Sequence, residues 1–257
     1  MIFRKAPFMG YRLVACSPET CVTTVVEWIR EGDRARWLAC LNPHSWVVAL
    51  ERPAFDQALA SADWLVPDGA GIALASRLRR EGPTGRVTGS DVFEGVSRRL
   101  DEGGGARVFF LGATEETLAI IRGRYQREYP RLTVVGALAP PFQEAFTDAQ
   151  VEEMVAAVNA SGAEVLWVGL GAPKQELLLH RAVGRLRVRF AAGVGAVFDY
   201  YAGRVQRAHP ALRRAGLEWL PRLVQEPQRL WRRVFLSTPV FLWHVASHPH
   251  DRDGEQA

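Results

Sequence analysis

Lysine is almost missing from this 257-residue chain: Lys5 and Lys174 are the only two among 32 basic residues, the rest being arginine. Cysteine is scarce as well, and Cys16, Cys21 and Cys40 fall into neither CxxC nor Cys/His spacing. That pattern signals no zinc site and no disulfide framework. No uninterrupted apolar run reaches the roughly 18 residues of a bilayer-crossing helix, and no charged-then-apolar leader pattern opens the sequence. A cytoplasmic protein is expected, which still allows lying on a membrane surface. The phosphate loop G-x-x-x-x-G-K-[ST] is absent, and no G-x-G-x-x-G follows the first strands, which argues against a nucleotide-binding oxidoreductase. "GVGAVF" (193–198) matches that fingerprint only in part. HExxH and GxSxG are missing too, and the one D-x-D, Asp251 and Asp253, lies in a polar tail. No metal ligand and no cofactor are therefore assigned.

With 48% hydrophobic residues the chain can bury a large core. Short apolar runs recur as "RLVAC" (12–16), "WLACL" (37–41), "DWLVP" (63–67), "RVFFLG" (107–112), "TVVGA" (133–137), "VLWVGL" (165–170) and "RFAAGV" (189–194). Amphipathic segments separate them, several with helix start and stop signals. "TCVTTVVEWIREG" ends on Gly, "TEETLAIIRGRYQREYP" opens on Thr114, and Thr147 precedes Gln150 at capping-box spacing. Strands alternating with helices of this length predict an α/β, Rossmann-like, mostly parallel sheet with helices on both faces. This core is expected to span residues 1–203.

Past residue 203 the rhythm changes. Eight arginines fall between Arg204 and Arg233 against two acids, Glu218 and Glu226, amid Leu, Trp, Val and Phe. The spacing predicts a helical, basic and aromatic appendage over 204–246, broken near Pro210, Pro221, Pro227 and Pro239, and a disordered tail over 247–257. Such a basic block suits an anionic partner, phosphate or membrane, or else a solvated face.

Ligands of doubly wound sheets sit outside the carboxyl ends of the strands. Asp68, just before Gly69 and Gly71, is a candidate general base or a helix cap. Asn42 suits ligand binding or a turn before Pro43. Asp91 suits a helix N-terminus, and Arg86 an anion or a surface carboxylate. Gly112, in "LGAT" (111–114), and Asp199, in "GVGAVFDYYAG" (193–203), lie after later strands. In "GAPKQE" (171–176), Gly171 and Pro173 predict a tight turn into a helix. Lys174, Gln175 and Glu176 then occupy its first turn, where an anion is favoured; an exposed lysine is the plain alternative.

These stretches, in order, resemble the WecG/TagA/CpsF glycosyltransferases, glycosyltransferase family 26, from about Leu13 to Phe241. The pieces are "LN" (41–42), "ADWLVPDGAGIALASR" (62–77), "RVTGSDVF" (86–93), "VFFLGAT" (108–114), "VGLGAPKQE" (168–176), "GVGAVFDYYAGRVQRA" (193–208) and "GLEWLPRLVQEPQRLWRR" (216–233). The resemblance implies a metal-independent, inverting transferase in cell-surface polysaccharide synthesis. It would move N-acetylmannosamine, glucose or a related hexose from a UDP-sugar to a polyprenyl-diphosphate-linked acceptor. It implies Asp68 as base, Asn42 and Gln175 as pocket residues, and Arg214, Arg222, Arg229 and Arg232 on the diphosphate. It also implies peripheral attachment to the inner face of the membrane through the appendage, suggests a homo-oligomer, and implies no nucleic acid. Cys40 stands where the family often carries Thr, "APPF" (139–142) replaces a "GYF"-like stretch, and Pro221 stands where Tyr is common. A non-catalytic scaffold of a polysaccharide assembly complex is the alternative.

Overall fold

The computed structural model describes residues 5–206, 208–209, 212, 219–225, 227, 231 and 233–247. Its centre is a six-stranded sheet in the order β4-β3-β8-β7-β5-β6, every neighbouring pair parallel. The strands are β3 (Arg36–Leu41), β4 (Trp64–Pro67), β5 (Arg107–Gly112), β6 (Thr133–Leu138), β7 (Val165–Gly169) and β8 (Phe190–Gly193). Before, between and after them run α1 (Pro18–Glu31), α2 (Pro43–Glu51), α3 (Pro53–Ala60), α4 (Ala70–Arg79), α5 (Gly89–Glu102), α6 (Glu115–Glu128), α7 (Asp148–Ser161), α8 (Lys174–Ala182) and the short α9 (Val197–Tyr201).

Alternation along the strands makes two cores. On β3, Trp37, Ala39 and Leu41 enter one with α2, α3, α4, α7 and α8, while Leu38 and Cys40 enter the other with α1, α5, α6 and α9. Both faces of the parallel sheet are thereby buried, which is why its strands are nearly continuous apolar runs. In the second core Phe93 sits edge-on to Trp167 and Tyr201, and Phe110 edge-on to Tyr125. Caps hold the helix starts in register: Ser17, Asn42, Thr88, Thr114 and Thr147 each accept a first-turn N–H. Such caps are each worth about 1 kcal/mol.

"RLVAC" does not join the parallel sheet. Its residues Tyr11–Val14 form β2, paired antiparallel with a strand not expected from the sequence, β1 (Lys5–Phe8). The turn between them places Met9 at φ 44° and Gly10 at φ 88°. Two successive positive φ angles match the twist of a two-residue hairpin.

Pro221 lies in the helix Trp219–Gln225, and Pro239 is the second residue of the α-helix Thr238–Ser247. A change of helix type falls at Pro239, near where a break is expected, because proline has no N–H to give to the preceding turn. Gln225 accepts the N–H of Gln206 at 3.0 Å, tying the first of these helices back to the core's exit. A π-helical turn, Arg233–Ser237, leads into the second. There Phe241 is fully buried against Trp46 of α2, with ring centroids 5.5 Å apart. Of the tail expected over 247–257, Ser247 instead ends the helix Thr238–Ser247, and the rest lies outside the described residues.

Candidate active site

At the carboxyl edge of the sheet, α2, α4 and α8 leave toward one layer, and α5, α6 and α9 toward the other. Ligands of such sheets bind in a crevice where neighbouring strands send their helices to opposite sides, as β3 and β8 do, and the β3 and β4 ends border it. Asn42 and Asp68 come together here because β3 and β4 pair in register, Leu41 opposite Pro67. The Asp68 N–H extends the pairing by donating to the Leu41 carbonyl at 2.8 Å. The two helix starts that follow are pressed together: a Cβ on Gly71 would lie 2.5 Å from the Pro43 ring. Gly71 is glycine because of that close approach.

The N-cap of α4 is Gly69, at φ 85° and ψ 160°, with no side-chain cap bond. Only glycine adopts that backbone readily. Asp68 therefore stands one residue ahead of the cap position, half-buried at the crevice. Asn42 does cap its helix, its Oδ1 accepting from the Ser45 N–H at 2.9 Å. Asp91 completes a capping box: Oδ2 accepts from the Thr88 N–H at 2.9 Å and from the Thr88 hydroxyl at 2.7 Å. Cys40 lies among these acids. Burial first, then the negative charges of Asp68, Glu176 and Asp91, push its thiol well above the ordinary range, against a hydrogen bond from the Gly89 backbone. It is a neutral thiol. Cys16 differs: its pKa is lowered by a hydrogen bond from Cys21, whose own thiol is raised by that bond and by burial.

Gly112, at φ 125°, packs against the β7 end so closely that a Cβ would meet the Gly169 backbone at 2.6 Å. Lys174 is engaged within the chain. Its Nζ donates to the Gln143 carbonyl at 3.2 Å and lies 4.7 Å from the centre of the exposed Phe142 ring. The lone lysine of the core's carboxyl edge thus pins the loop between β6 and α7. Gln175 and Glu176 are buried beneath it, bonded to each other at 2.8 Å. Arg86 is half-buried at the start of the α5 loop, and Asp199 half-buried in α9. Arg214, Arg229 and Arg232 lie outside the described residues, as does the side chain of Arg222 in the helix Trp219–Gln225.

His44, next to Asn42, is part of the same neighbourhood, and inspection of "NPHS" for its asparagine passes over it. Its Nδ1 is 2.8 Å from the Ser237 hydroxyl, at the head of the C-terminal helix. The Trp46 ring of the same helix α2 stacks edge-on with both Phe241 and His244. These partners are almost 200 residues away along the chain, so no local pattern reveals them.

A parallel sheet covered by helices on both faces, with carboxylates gathered at its strand ends, defines a Rossmann-like α/β protein. More narrowly, residues 6–253 match the Glycosyl transferase WecG/TagA/CpsF family, and the chain belongs to that family. It is a glycosyltransferase. Among its relatives is the N-acetylglucosaminyldiphosphoundecaprenol N-acetyl-beta-D-mannosaminyltransferase of Bacillus spizizenii, 31% identical over 218 residues, covering 85% of this chain and 81% of that protein.

Proposed function

We propose that this enzyme transfers N-acetylmannosamine or a closely related hexose from a UDP-sugar to a polyprenyl-diphosphate-linked saccharide, with inversion and without a metal. The supporting observation is the placement of Asp68 beside Asn42 at the strand-end crevice, next to a docked C-terminal helix. The Bacillus relative's name supports the sugar and the lipid-linked acceptor. Asp68 takes the proton from the acceptor hydroxyl. That oxygen attacks the anomeric carbon as the bond to the diphosphate breaks on the opposite face, and UDP departs carrying the electron pair. Negative charge grows on the leaving group, so donors aimed at it stabilise mainly the transition state. Arg86, the side-chain-free start of α4, and Arg214, Arg222, Arg229 and Arg232 of the appendage are the groups assigned to it.

The acceptor is a lipid, and among the described residues no helix is long and apolar enough to cross a membrane. The outer face of the C-terminal segment carries Phe235, Leu236, Val240, Leu242 and Trp243, with Trp243 60% exposed. The adjoining α4 adds Leu74 and Leu78, the latter 64% exposed. Apolar residues beside arginines suit the headgroup level of an anionic bilayer, on the cytoplasmic side where such lipids concentrate. The core of residues 1–203 would then work over the surface on which 204–246 rests.

The test is transfer from a panel of UDP-sugars to a lipid-diphosphate-N-acetylglucosamine acceptor, run with excess EDTA. Product with UDP-N-acetylmannosamine, undiminished by the chelator, is expected. Loss in EDTA overturns the metal-free step. Failure with every donor, together with a UDP-induced rise in melting temperature, favours a nucleotide-sugar-binding scaffold. Separately, Trp243→Asp with Phe235→Asp should weaken flotation with anionic vesicles at least about tenfold, since each buried aromatic contributes roughly 1.5–3 kcal/mol. Unchanged flotation refutes attachment through this face.

A further inference from the structure

Gln175 is the second residue of α8, and only 4% of it is exposed. Its Oε1 accepts from two backbone groups on different loops: the Gly171 N–H after β7 at 3.2 Å and the Gly195 N–H after β8 at 3.0 Å. Its Nε2 donates to Glu176 Oε1 at 2.8 Å, and Glu176 is 1% exposed. A carboxylate only accepts, so Glu176 dictates which end of the amide is which. With nitrogen held toward Glu176, the oxygen must face the two N–H groups. Gly193 completes the seat, since a Cβ there would lie 2.9 Å from Nε2.

The strand ends beneath these loops are joined by the Val194 N–H, which donates to the Val168 carbonyl at 2.9 Å, and the Gln175 amide continues that tie into the loops themselves. Gly171 sits at φ 76° and Gly195 at φ 52°, in turns outside regular ladder bonding. One side chain satisfies an N–H from each, and an unsatisfied N–H at either place is costly. We propose that Gln175 is a positioning residue: its amide fixes the separation of the β7–α8 and β8–α9 loops that line the crevice, and Glu176 orients it. The amide is committed to backbone rather than to sugar. The proposal rests on reading that crevice as the place of transfer, because a shift of about 1 Å in such a wall costs on the order of 10²-fold in rate.

Two variants test it. Gln175→Met keeps the length and deletes the acceptor. Amide hydrogen exchange at Gly171 and Gly195 should accelerate together about tenfold or more, the equivalent of one ordinary hydrogen bond, and kcat/KM should fall by a similar factor or more. Gln175→Glu restores the acceptor but sets a carboxylate against Glu176. Two such neighbours hold one proton between them until the pH rises through their elevated pKa. Below that point a shared O–H keeps the pair together; above it they repel. The activity of Gln175→Glu relative to the parent enzyme should therefore decline with rising pH, and the two glycine amides should lose protection over the same range. A purely structural role would lower the melting temperature without that pH-dependent ratio. Protected glycines in Gln175→Met, or a flat ratio in Gln175→Glu, overturns the proposal. Exchange requires no substrate, so if the parent enzyme transfers no sugar while the amides respond as expected, the functional reading fails and the brace stands.

Discussion

Replacing Asp68 with asparagine is expected to lower kcat by roughly 10²-fold or more, the scale of general-base catalysis, while leaving the fold intact. Asparagine matches the aspartate in size and keeps an acceptor oxygen, but it cannot take a proton. The backbone of residue 68 is held independently of its side chain, through the N–H donated to Leu41. Gly69 supplies the helix start, so α4 does not lose its cap. A half-buried isosteric change of this kind moves stability by about 1 kcal/mol or less, a few degrees in melting temperature at most. KM for the donor should change little, since the deleted function acts in the transition state. Turnover near the parent value in a well-folded Asp68→Asn enzyme would remove Asp68 from the mechanism and return the search to Asp91 and Glu176. Asp91 starts at a disadvantage, its carboxylate already accepting two bonds from Thr88.

The second large effect concerns Phe241. It is fully buried, although it belongs to a segment whose neighbours face outward. Phe241→Ala should cost about 3–5 kcal/mol of local stability, the usual range for emptying a buried phenylalanine site. The loss is expected to fall on the docking of the helix Thr238–Ser247 rather than on the sheet. That helix meets the core through Phe241, Val245 and the His44–Ser237 bond, at the margin of the core shared with α2 and α4, whereas the core on the other face of the sheet does not include it. Local opening without global unfolding is the signature of such a unit. Protease cleavage and amide exchange should rise within 238–247 while the main thermal transition shifts little. Turnover on a lipid-linked acceptor should fall at the same time, because the opened helix lies beside Asn42 and carries the exposed aromatic face. A global collapse, or a fully active enzyme with a mobile C-terminus, would contradict this division.

The sheet was legible in sequence because burial on both faces demands long apolar runs. Six of the seven expected runs became its strands, with ends displaced by one residue at most. "RLVAC" has the same composition, yet it pairs with Lys5–Phe8. The choice between parallel sheet and hairpin depended on the Met9–Gly10 turn, not on the strand. The capping box at Thr147 and the cap at Thr114 followed from short spacings and stand as expected. Lys174 could not be placed in this way. Its anomaly as one of two lysines drew notice, but its partners, Phe142 and the Gln143 carbonyl, are 31 or more residues back in the chain.

Taken alone, the sequence determined the α/β class, the strands of the parallel sheet, the caps at Thr114 and Thr147 and the family, because periodicity, caps and ordered motifs are local properties. Tertiary structure decided which polar groups share a space. It brought Asp68 to Asn42 through strand register, surrounded Cys40 with carboxylates, and turned the Gln175 amide onto two glycine loops. It also joined Ser237 to His44. The first three relations link residues from different strand ends, whose distances the order of strand pairing sets, and the last depends on the docking of the C-terminal segment.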